Sequence, residues 1–455
     1  MVKILLISAN VTKEPFPVYP LGMSTVAHDL RGRGHEVVEW DFLAQGESEE
    51  KLLQIAKTEA PDYVGFSLRN IDNCNSKHTA FYYDLYRQLV ENIRKVTTAT
   101  VVLGGPGYSL FPEKLLEKIG ADYGIEGEGE EVFAALIESL ESGKKPDQTI
   151  LRSTSPLSGE LIPSPDRDDD IAKYYIEHGG MLNIQTKRGC PFRCAYCPYP
   201  VLEGKFYRYK PAPDVVDEIE MLIKKHDLKY YFIADSVFND ADKRYLDIAG
   251  ELVRRKISVP WMAYFKPDRF ESGEVALLKE SGLKAVEWGT DCASDKTLKG
   301  MCKNFTWDDV EKSNNIFSGA EIASAHFIIF GGPDETKETV EEGIANIARL
   351  ENCAVFAATG VRVLPGTPMH KRAIEEKILS PDDDILEPFF YFSPHTSKEY
   401  LHEKLLQAFE GRADRVYPMG EDTDRVNAFH GLGYTGPMWD LLLGQRQSRR
   451  KRGTS

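Results

Sequence analysis

The chain has 455 residues, of which 42% are hydrophobic and 28% are charged, the usual composition of a soluble globular protein. This length exceeds that of a typical single domain, so two or three domains are expected. The formal net charge is −15 and the one basic cluster is the tail, Arg446 to Arg452, so no nucleic-acid partner is expected. The sequence has no membrane-spanning apolar run and no signal peptide, which predicts a cytoplasmic protein.

Strand and helix patterns alternate over residues 1–135. Segments with helical periodicity separate five apolar runs, which are typical of parallel strands buried on both faces. The predicted strands are Val2–Ser8, Glu36–Trp40, Tyr63–Leu68, Thr100–Leu103 and Tyr123–Ile125. This order predicts a doubly wound, Rossmann-like α/β domain over residues 1–142, with its ligand site at the carboxyl ends of the strands. The glycines there lack the G-x-G-x-x-G spacing, so a dinucleotide site is not predicted.

Residues 143–175 are rich in Ser, Pro, Lys and Asp and are predicted to be a linker, with one short strand at Thr149–Arg152. Over residues 176–378 the alternation restarts with a longer period. Six strands are predicted: Leu182–Thr186, Tyr230–Ala234, Pro260–Phe265, Ala285–Gly289, Ser324–Phe330 and Val355–Val361. A helix after nearly every strand predicts a partial (β/α)6 barrel of the TIM type, with active-site residues at the carboxyl ends of the strands.

Three cysteines follow the first barrel strand with the spacing C-x3-C-x2-C: Cys190, Cys194 and Cys197. Cysteine thiolates are the usual ligands of a 4Fe–4S cluster, and three of them leave the fourth iron open for another ligand. A structural zinc site is the alternative, but such sites usually have a second cysteine pair, which is missing here. The remaining cysteines are scattered and are expected to be reduced, buried thiols: Cys74, Cys292, Cys302 and Cys353.

The cysteine loop resembles the signature of the radical S-adenosylmethionine (SAM) enzymes. In that family SAM chelates the open iron, and an electron from the cluster splits SAM to give a 5′-deoxyadenosyl radical. The resemblance implies that polar residues at the strand ends, and the aromatic residue before the third cysteine, contact SAM. The implied SAM contacts are Tyr196, Asp235, Ser236, Glu287, Asp291 and Lys303. Asp291 stands where the family usually has Glu.

The first domain resembles the cobalamin-binding domain of the cobalamin-dependent radical SAM enzymes. The resemblance is carried by four motifs in the family's order: Pro17–Gly22, Pro61–Ser67, Val101–Pro106 and Gly120–Phe133. The loop at 9–20 contains no histidine, so the D-x-H-x-x-G motif that ligates cobalt in many cobalamin domains is absent. Cobalamin bound without a histidine ligand is the implied mode, and an α/β domain that contacts only substrate is the alternative. The predicted cobalamin contacts are Ser67, Arg69, Asn70, Gly104, Gly105, Glu126, Gly127 and Glu128.

Residues 379–455 form a C-terminal region with a basic tail. The aromatic stretch at 387–396 is expected to close the barrel, with a substrate-lining role as the alternative. An apolar segment before the basic tail is compatible with weak peripheral contact with an anionic membrane, although a solvated tail is the favoured interpretation.

The function that the resemblance implies is methylation of an unactivated carbon of a small-molecule or lipid substrate. A 4Fe–4S cluster, SAM and cobalamin are the implied cofactors, and an external electron donor such as flavodoxin or ferredoxin is the implied partner. Membership of a lipid-biosynthesis subgroup rests on analogy alone. Radical oxidative cyclisation or rearrangement without methyl transfer is one alternative, and a non-catalytic iron–sulfur redox protein is another.

Overall fold

A computed structural model describes residues 1–153, 155–420, 429–430 and 432–443. The first domain is a six-stranded parallel sheet in the order β2-β1-β3-β4-β5-β6. Its strands are β1 Lys3–Ser8, β2 Glu36–Asp41, β3 Tyr63–Ser67, β4 Thr100–Gly104, β5 Tyr123–Glu126 and β6 Ile150–Arg152. The order reverses direction beside β1, which is where doubly wound sheets bind ligands. The predicted α/β class is confirmed.

Helices cover both faces of this sheet and bury most residues of β1, β3 and β4. They are Leu21–Gly32, Glu49–Glu59, Tyr83–Arg94, Pro106–Leu110, Pro112–Ile119 and Glu130–Glu141. The last strand, β6, pairs with β5 through Gly124 and Ile150. It lies within the predicted linker, so the sheet of the first domain extends beyond residue 142. The other predicted domain bounds stay a prediction.

The second domain is a partial barrel of parallel strands that follow one another in chain order. They are β7 Leu182–Ile184, β8 Tyr231–Ile233, β9 Trp261–Phe265, β10 Leu283–Asp291, β11 Ala323–Phe330, β12 Cys353–Thr359 and β13 Arg415–Val416. The first six confirm the predicted strands to within a few residues. The seventh, β13, was not predicted because two residues carry no readable periodicity.

Helices connect the barrel strands or pack against them. They are Asp169–Gly179, Tyr199–Leu202, Ala212–His226, Tyr245–Arg254, Ser272–Glu280, Asp295–Gly300, Trp307–Gly319, Lys337–Arg349, Pro368–Glu375 and Lys398–Phe409. Asp168 caps the first of these by accepting hydrogen bonds from the backbone N–H groups of Asp170 and Ile171, as acidic N-cap residues commonly do. No helix among the described residues is long and apolar enough to cross a membrane.

The aromatic stretch at 387–396 packs against the barrel. Phe390–Tyr391 pairs antiparallel with Val361–Arg362, and Phe392 lies so close to Gly360 that a Cβ there would be 2.4 Å from the ring. These contacts favour closure of the barrel. The basic tail from Arg446 to Arg452 lies outside the described residues, so the predicted membrane contact stays a prediction.

The C-terminal segment reaches into the barrel. Trp439 is 6% exposed and packs with Met181, Phe232 and Met262 from the barrel interior. Its indole Nε1–H donates a hydrogen bond of 2.9 Å to Oε1 of Glu287 on β10. Burial raises the pKa of Glu287 to about 7, and this hydrogen bond offsets only part of the effect. The barrel interior therefore favours a protonated carboxyl at this position.

We expect Glu287→Gln to stabilise the protein at high pH. The free energy of unfolding that Glu287 contributes is fully present below about pH 4.5 and is lost as pH rises through about 7, because the folded-state pKa is raised. The variant's gain over the parent in unfolding free energy should be about 2 kcal/mol larger at pH 8 than at pH 5.5.

Denaturant unfolding of both proteins at the two pH values measures this gain. Glu399→Gln, at an exposed position on the helix Lys398–Phe409, is the matched control and should show no such dependence. An equal gain at both pH values would contradict the assignment.

Candidate active site

Three separate segments hold the cysteine loop at the carboxyl end of β7. The backbone N–H of Cys190 donates to the carbonyl of Gly204 at 3.0 Å. In the middle of the loop, the N–H of Ala195 donates to the carbonyl of Met301 at 2.9 Å, and the carbonyl of Ala195 accepts from the N–H of Met369 at 2.8 Å. The loop is therefore fixed from both sides of the barrel mouth.

The three thiols of the loop are free, with Cys190 buried and Cys194 and Cys197 half-buried. Burial raises the pKa of Cys197 to about 12, and the neighbouring thiols oppose its ionisation further. Thiolates in such a place need compensating positive charge, which iron supplies.

The arrangement fits a cluster better than a single ion. In the described part of the chain, no three His, Cys, Asp or Glu side chains converge on one metal position, as a structural zinc site would require. A 4Fe–4S cluster places each thiolate on a different iron, so convergence is not needed. The three cysteines therefore fit the cluster that the spacing predicts.

A buried cluster of three polar side chains lies beside the cysteine loop. The hydroxyl of Tyr196 donates to Oδ2 of Asp291 at 2.7 Å, and Lys303 forms an ion pair with the same oxygen. The ammonium of Lys303 also lies 3.4 Å from Sγ of Cys194 and 3.2 Å from the carbonyl of Gly289. Burial lowers the pKa of Lys303, but Asp291 and Cys194 more than offset this effect, so its pKa is raised. Lys303 therefore keeps a positive charge next to the cluster ligands.

Asp291 adopts a backbone conformation that is uncommon outside glycine. Its φ is +60°, in the left-handed region that costs an ordinary residue about 1 kcal/mol or more. It lies at the end of β10, where the pairing with β11 shifts between Trp288 and Asp291. This irregularity brings the carboxylate to Tyr196 and Lys303.

Asp235 and Ser236, at the end of β8, bind the segment that leads to the cysteines. Asp235 is 1% exposed and accepts hydrogen bonds from the hydroxyl and the backbone N–H of Thr186. The hydroxyl of Ser236 donates to the carbonyl of Gly189 at 3.1 Å. Both side chains thus position the cysteine loop, and their predicted contact with SAM stays a prediction.

A cavity of about 780 Å³ lies between the carboxyl ends of the two sheets. Loops after β1, β3, β4 and β5 form one wall, and strand ends of the barrel form the other. Of the predicted cobalamin contacts, seven line this cavity: Ser67, Arg69, Asn70, Gly104, Gly105, Gly127 and Glu128. Tyr196 and Asp291 line it too. Seven residues predicted for cobalamin and two predicted for SAM therefore open into one space.

Five predicted contacts are not part of the cavity wall. Glu126 accepts a hydrogen bond of 2.7 Å from Nε of Arg152, at the edge of the first sheet. Asp235 and Ser236 bind the cysteine loop, and Glu287 binds Trp439 deeper in the barrel. Lys303 is covered by its ion pair and by Cys194. The sequence could not show which way each of these side chains is engaged.

The first-domain wall fits a large, flat ligand. Gly105 has φ +91° and a Cβ there would lie 2.7 Å from the carbonyl oxygen of Leu68, so only glycine suits the turn. Gly104 leaves open space, with its nearest neighbour 3.9 Å from a built Cβ. No histidine is among the described residues that line the cavity, which agrees with the missing motif. The residues present fit a cobalamin held without a histidine ligand.

Two arginines of the barrel domain form ion pairs with glutamates of the first domain. Sequence patterns did not predict these ion pairs. Arg188, two residues before Cys190, donates to Oε1 of Glu130 at 2.6 Å and lies 3.4 Å from Glu128. Arg208 donates to Glu128 at 2.5 Å. The predicted contact Glu128 is thus already engaged by two arginines, although it borders the cavity. Ion pairs between residues so distant in sequence have no short motif that signals them.

Comparison with known families agrees with this layout. Residues 7–137 match the family described as B12 binding domain, and residues 184–347 match the radical SAM superfamily. The chain is 24% identical to the tryptophan 2-C-methyltransferase of Streptomyces laurentii, over 82% of this chain and 74% of that protein. It is 26% identical to the anaerobic magnesium-protoporphyrin IX monomethyl ester cyclase of Rubrivivax gelatinosus, over 71% of this chain and 60% of that protein.

The fold as a whole matches a solved structure. A radical S-adenosylmethionine methyltransferase from Kitasatospora setae, with cobalamin and a 4Fe–4S cluster bound, superposes with a TM-score of 0.86. The sequences are 23% identical, and the match covers 100% of this chain and 99% of that one. Two matched domains in one chain identify a 4Fe–4S cluster, SAM and cobalamin as its cofactors. The chain therefore joins a B12-binding domain to a radical SAM domain, the domain combination of the cobalamin-dependent radical SAM enzymes.

Proposed function

We propose that this enzyme transfers a methyl group from SAM, by way of cobalamin, to a carbon atom of a small apolar or aromatic substrate. The shared cavity carries the proposal, because it joins the glycine loops of the first domain to Tyr196 and Asp291 beside the cysteine loop. When bound, the cluster with SAM supplies radical chemistry and cobalamin supplies a methyl carrier.

The barrel side of the cavity supports an apolar substrate. Phe232, Tyr264, Phe327 and Ile329 line it, and such surfaces bind apolar or aromatic groups. The matched Streptomyces relative is named for methylation of tryptophan at carbon 2, so tryptophan and other indoles are the first substrates to test. Lipids, a class suggested only by analogy with related enzymes, form the second group.

This chain's own residues have two tasks in the proposed reaction. The cysteine loop and its three backbone anchors hold the cluster at the cavity edge, and the ion pair of Lys303 with Asp291 keeps fixed charges next to it. The apolar barrel wall excludes water from the substrate, which protects reactive intermediates. Fixed charges and a preformed cavity reduce the entropy lost when cofactors and substrate are aligned.

Oxidative cyclisation is the second candidate, since the matched Rubrivivax relative is named as a cyclase. SAM with a trideuterated methyl group separates the two candidates. The reconstituted enzyme should give a product heavier by a CD3 group in exchange for hydrogen, detected by mass spectrometry. A product that has lost hydrogen and gained no label would support cyclisation instead.

Replacing any one of the three loop cysteines should remove the cluster. For Cys190→Ala, Cys194→Ala and Cys197→Ala we expect anaerobically reconstituted protein to lose most of its roughly four irons per chain and its visible absorption, because one iron loses its anchor. Iron analysis and the visible spectrum measure this loss. Cys302 is an exposed cysteine that directly precedes Lys303 in the sequence. The control variant Cys302→Ser should keep the iron. Full iron retention in the loop variants would contradict the assignment.

Filling the first-domain wall should exclude cobalamin. Gly104→Leu is tolerated by the backbone, since a Cβ there meets nothing closer than 3.9 Å, but its side chain would occupy the cavity. We expect cobalamin affinity to fall by about tenfold or more, an effect of at least about 1.4 kcal/mol.

Retention of hydroxocobalamin after desalting measures this effect. The control is Gly32→Leu, at the end of a helix in the same domain with no atom within 4 Å of a built Cβ. Equal retention by both variants would place cobalamin elsewhere.

A further inference from the structure

The C-terminal segment enters the barrel at the amino ends of its strands. The backbone N–H of Gly436 donates a hydrogen bond of 3.4 Å to the carbonyl of Gly180, which lies just before β7. A Cβ built on Gly436 would lie 2.9 Å from the ring of Tyr230, which directly precedes β8. The cavity lies at the opposite, carboxyl ends of the same strands. Trp439, which follows Gly436 closely, therefore approaches the cavity from the other end of the barrel.

Small side chains leave room for the indole of Trp439. Three neighbouring barrel strands each place an alanine in the hydrophobic cluster that contains Trp439: Ala285 on β10, Ala325 on β11 and Ala354 on β12. Bulky branched side chains usually fill the interior of such barrels. Tryptophan is among the largest apolar side chains, and Trp439 is 6% exposed. The C-terminal segment thus supplies the bulk that these strands lack.

The same hydrophobic cluster reaches the wall of the cavity. Phe232 belongs to the cluster, Tyr264 and Phe327 pack against it, and all three line the cavity. Two positions earlier on β9 and β11, Met262 and Ala325 belong to the cluster but are not part of the cavity wall. Alternate residues of a strand point to the same face, so these positions form successive layers of the barrel interior. The layer that lines the cavity therefore rests on the layer that holds the indole.

A buried hydrogen bond fixes how far the indole reaches into the barrel. Its Nε1–H donates to Oε1 of Glu287 at 2.9 Å, and Glu287 is 3% exposed. Separating the two groups without new partners would leave both polar atoms unsatisfied in an apolar interior, which is costly. The position of Trp439 along the barrel axis is therefore well defined.

We propose that Trp439 is the floor of the substrate pocket and limits the length of the apolar group that the enzyme accepts. The cavity of about 780 Å³ has to hold SAM and cobalamin as well as substrate, and the floor closes the direction in which a long substrate would extend. A compact group such as an indole fits above the floor, whereas a long acyl chain would have to displace Trp439. The inference rests on the proposed function for its substrate class, within which it favours indoles over lipids.

A series of 5-alkylindoles, from methyl to octyl, measures the depth of the pocket. Equilibrium dialysis against holoenzyme that contains cluster, cobalamin and SAM, but no reductant, gives dissociation constants without turnover. For the parent we expect the affinity to stop rising at a short chain. In Trp439→Ala it should rise over about two further CH2 groups, each worth about fourfold, so that octylindole binds at least about tenfold tighter than it binds the parent. Indole itself should bind both proteins alike.

Two further variants complete the test. Trp439→Leu keeps part of the floor and should give an intermediate chain-length limit, which decides the question if the alanine variant does not fold. Trp40→Ala is the matched control, because Trp40 on β2 is also 6% exposed but lies in the first domain and outside the cavity wall. It should bind the whole series as the parent does.

A parent affinity that keeps rising up to the octyl member would overturn the proposal, since the pocket would then have no floor. An equal change for indole and octylindole in the Trp439 variants would overturn it as well, and so would the same gain in Trp40→Ala or a parent that binds no member of the series. Because the readout is binding, failure of methyl transfer from SAM leaves this test intact.

Discussion

The buried ion pairs of Arg188 are the contact on which the arrangement of the site depends. Arg188 precedes the first cluster cysteine by two residues, and its partners Glu128 and Glu130 stand at the end of the first domain's cavity wall. Removing one partner from a buried pair leaves an uncompensated charge and costs about 3–5 kcal/mol. The pair therefore fixes the distance between the cysteine loop and the glycine loops. A cavity shared by two cofactors needs that distance to be constant.

Most polar side chains near the cysteines form hydrogen bonds with the cysteine loop or with the segment that leads to it. Asp235 binds Thr186, Ser236 binds Gly189, and Lys303 reaches Cys194. Buried polar groups that are fully bonded make a segment rigid, and a rigid loop keeps a cluster in one place. Phe232, Phe327 and Ile329 on the barrel side of the cavity leave an apolar stretch for substrate.

The sequence predicted the features that a local pattern of residues encodes, namely strands, the cysteine loop and the glycine loops. Periodicity predicted most strands of both domains, and the C-x3-C-x2-C spacing predicted the cluster ligands, an assignment that stays a prediction. The cavity's glycine loops were also predicted, since Gly104 and Gly105 follow a buried strand at a sheet edge. The engagement of single side chains was not predictable. Glu126 meets Arg152, and Glu287 meets Trp439 from 152 residues further along the chain, because such pairs form only when the tertiary fold brings distant segments together.

The central claim is that one cavity serves both a cluster-bound SAM and cobalamin. Its most direct measurement is the cofactor content of the anaerobically reconstituted protein, given hydroxocobalamin and then desalted. The account predicts about one cobalamin and about four irons per chain, with the visible spectra of both. Four irons without retained cobalamin would contradict it, and would make the first domain a substrate-binding or docking module.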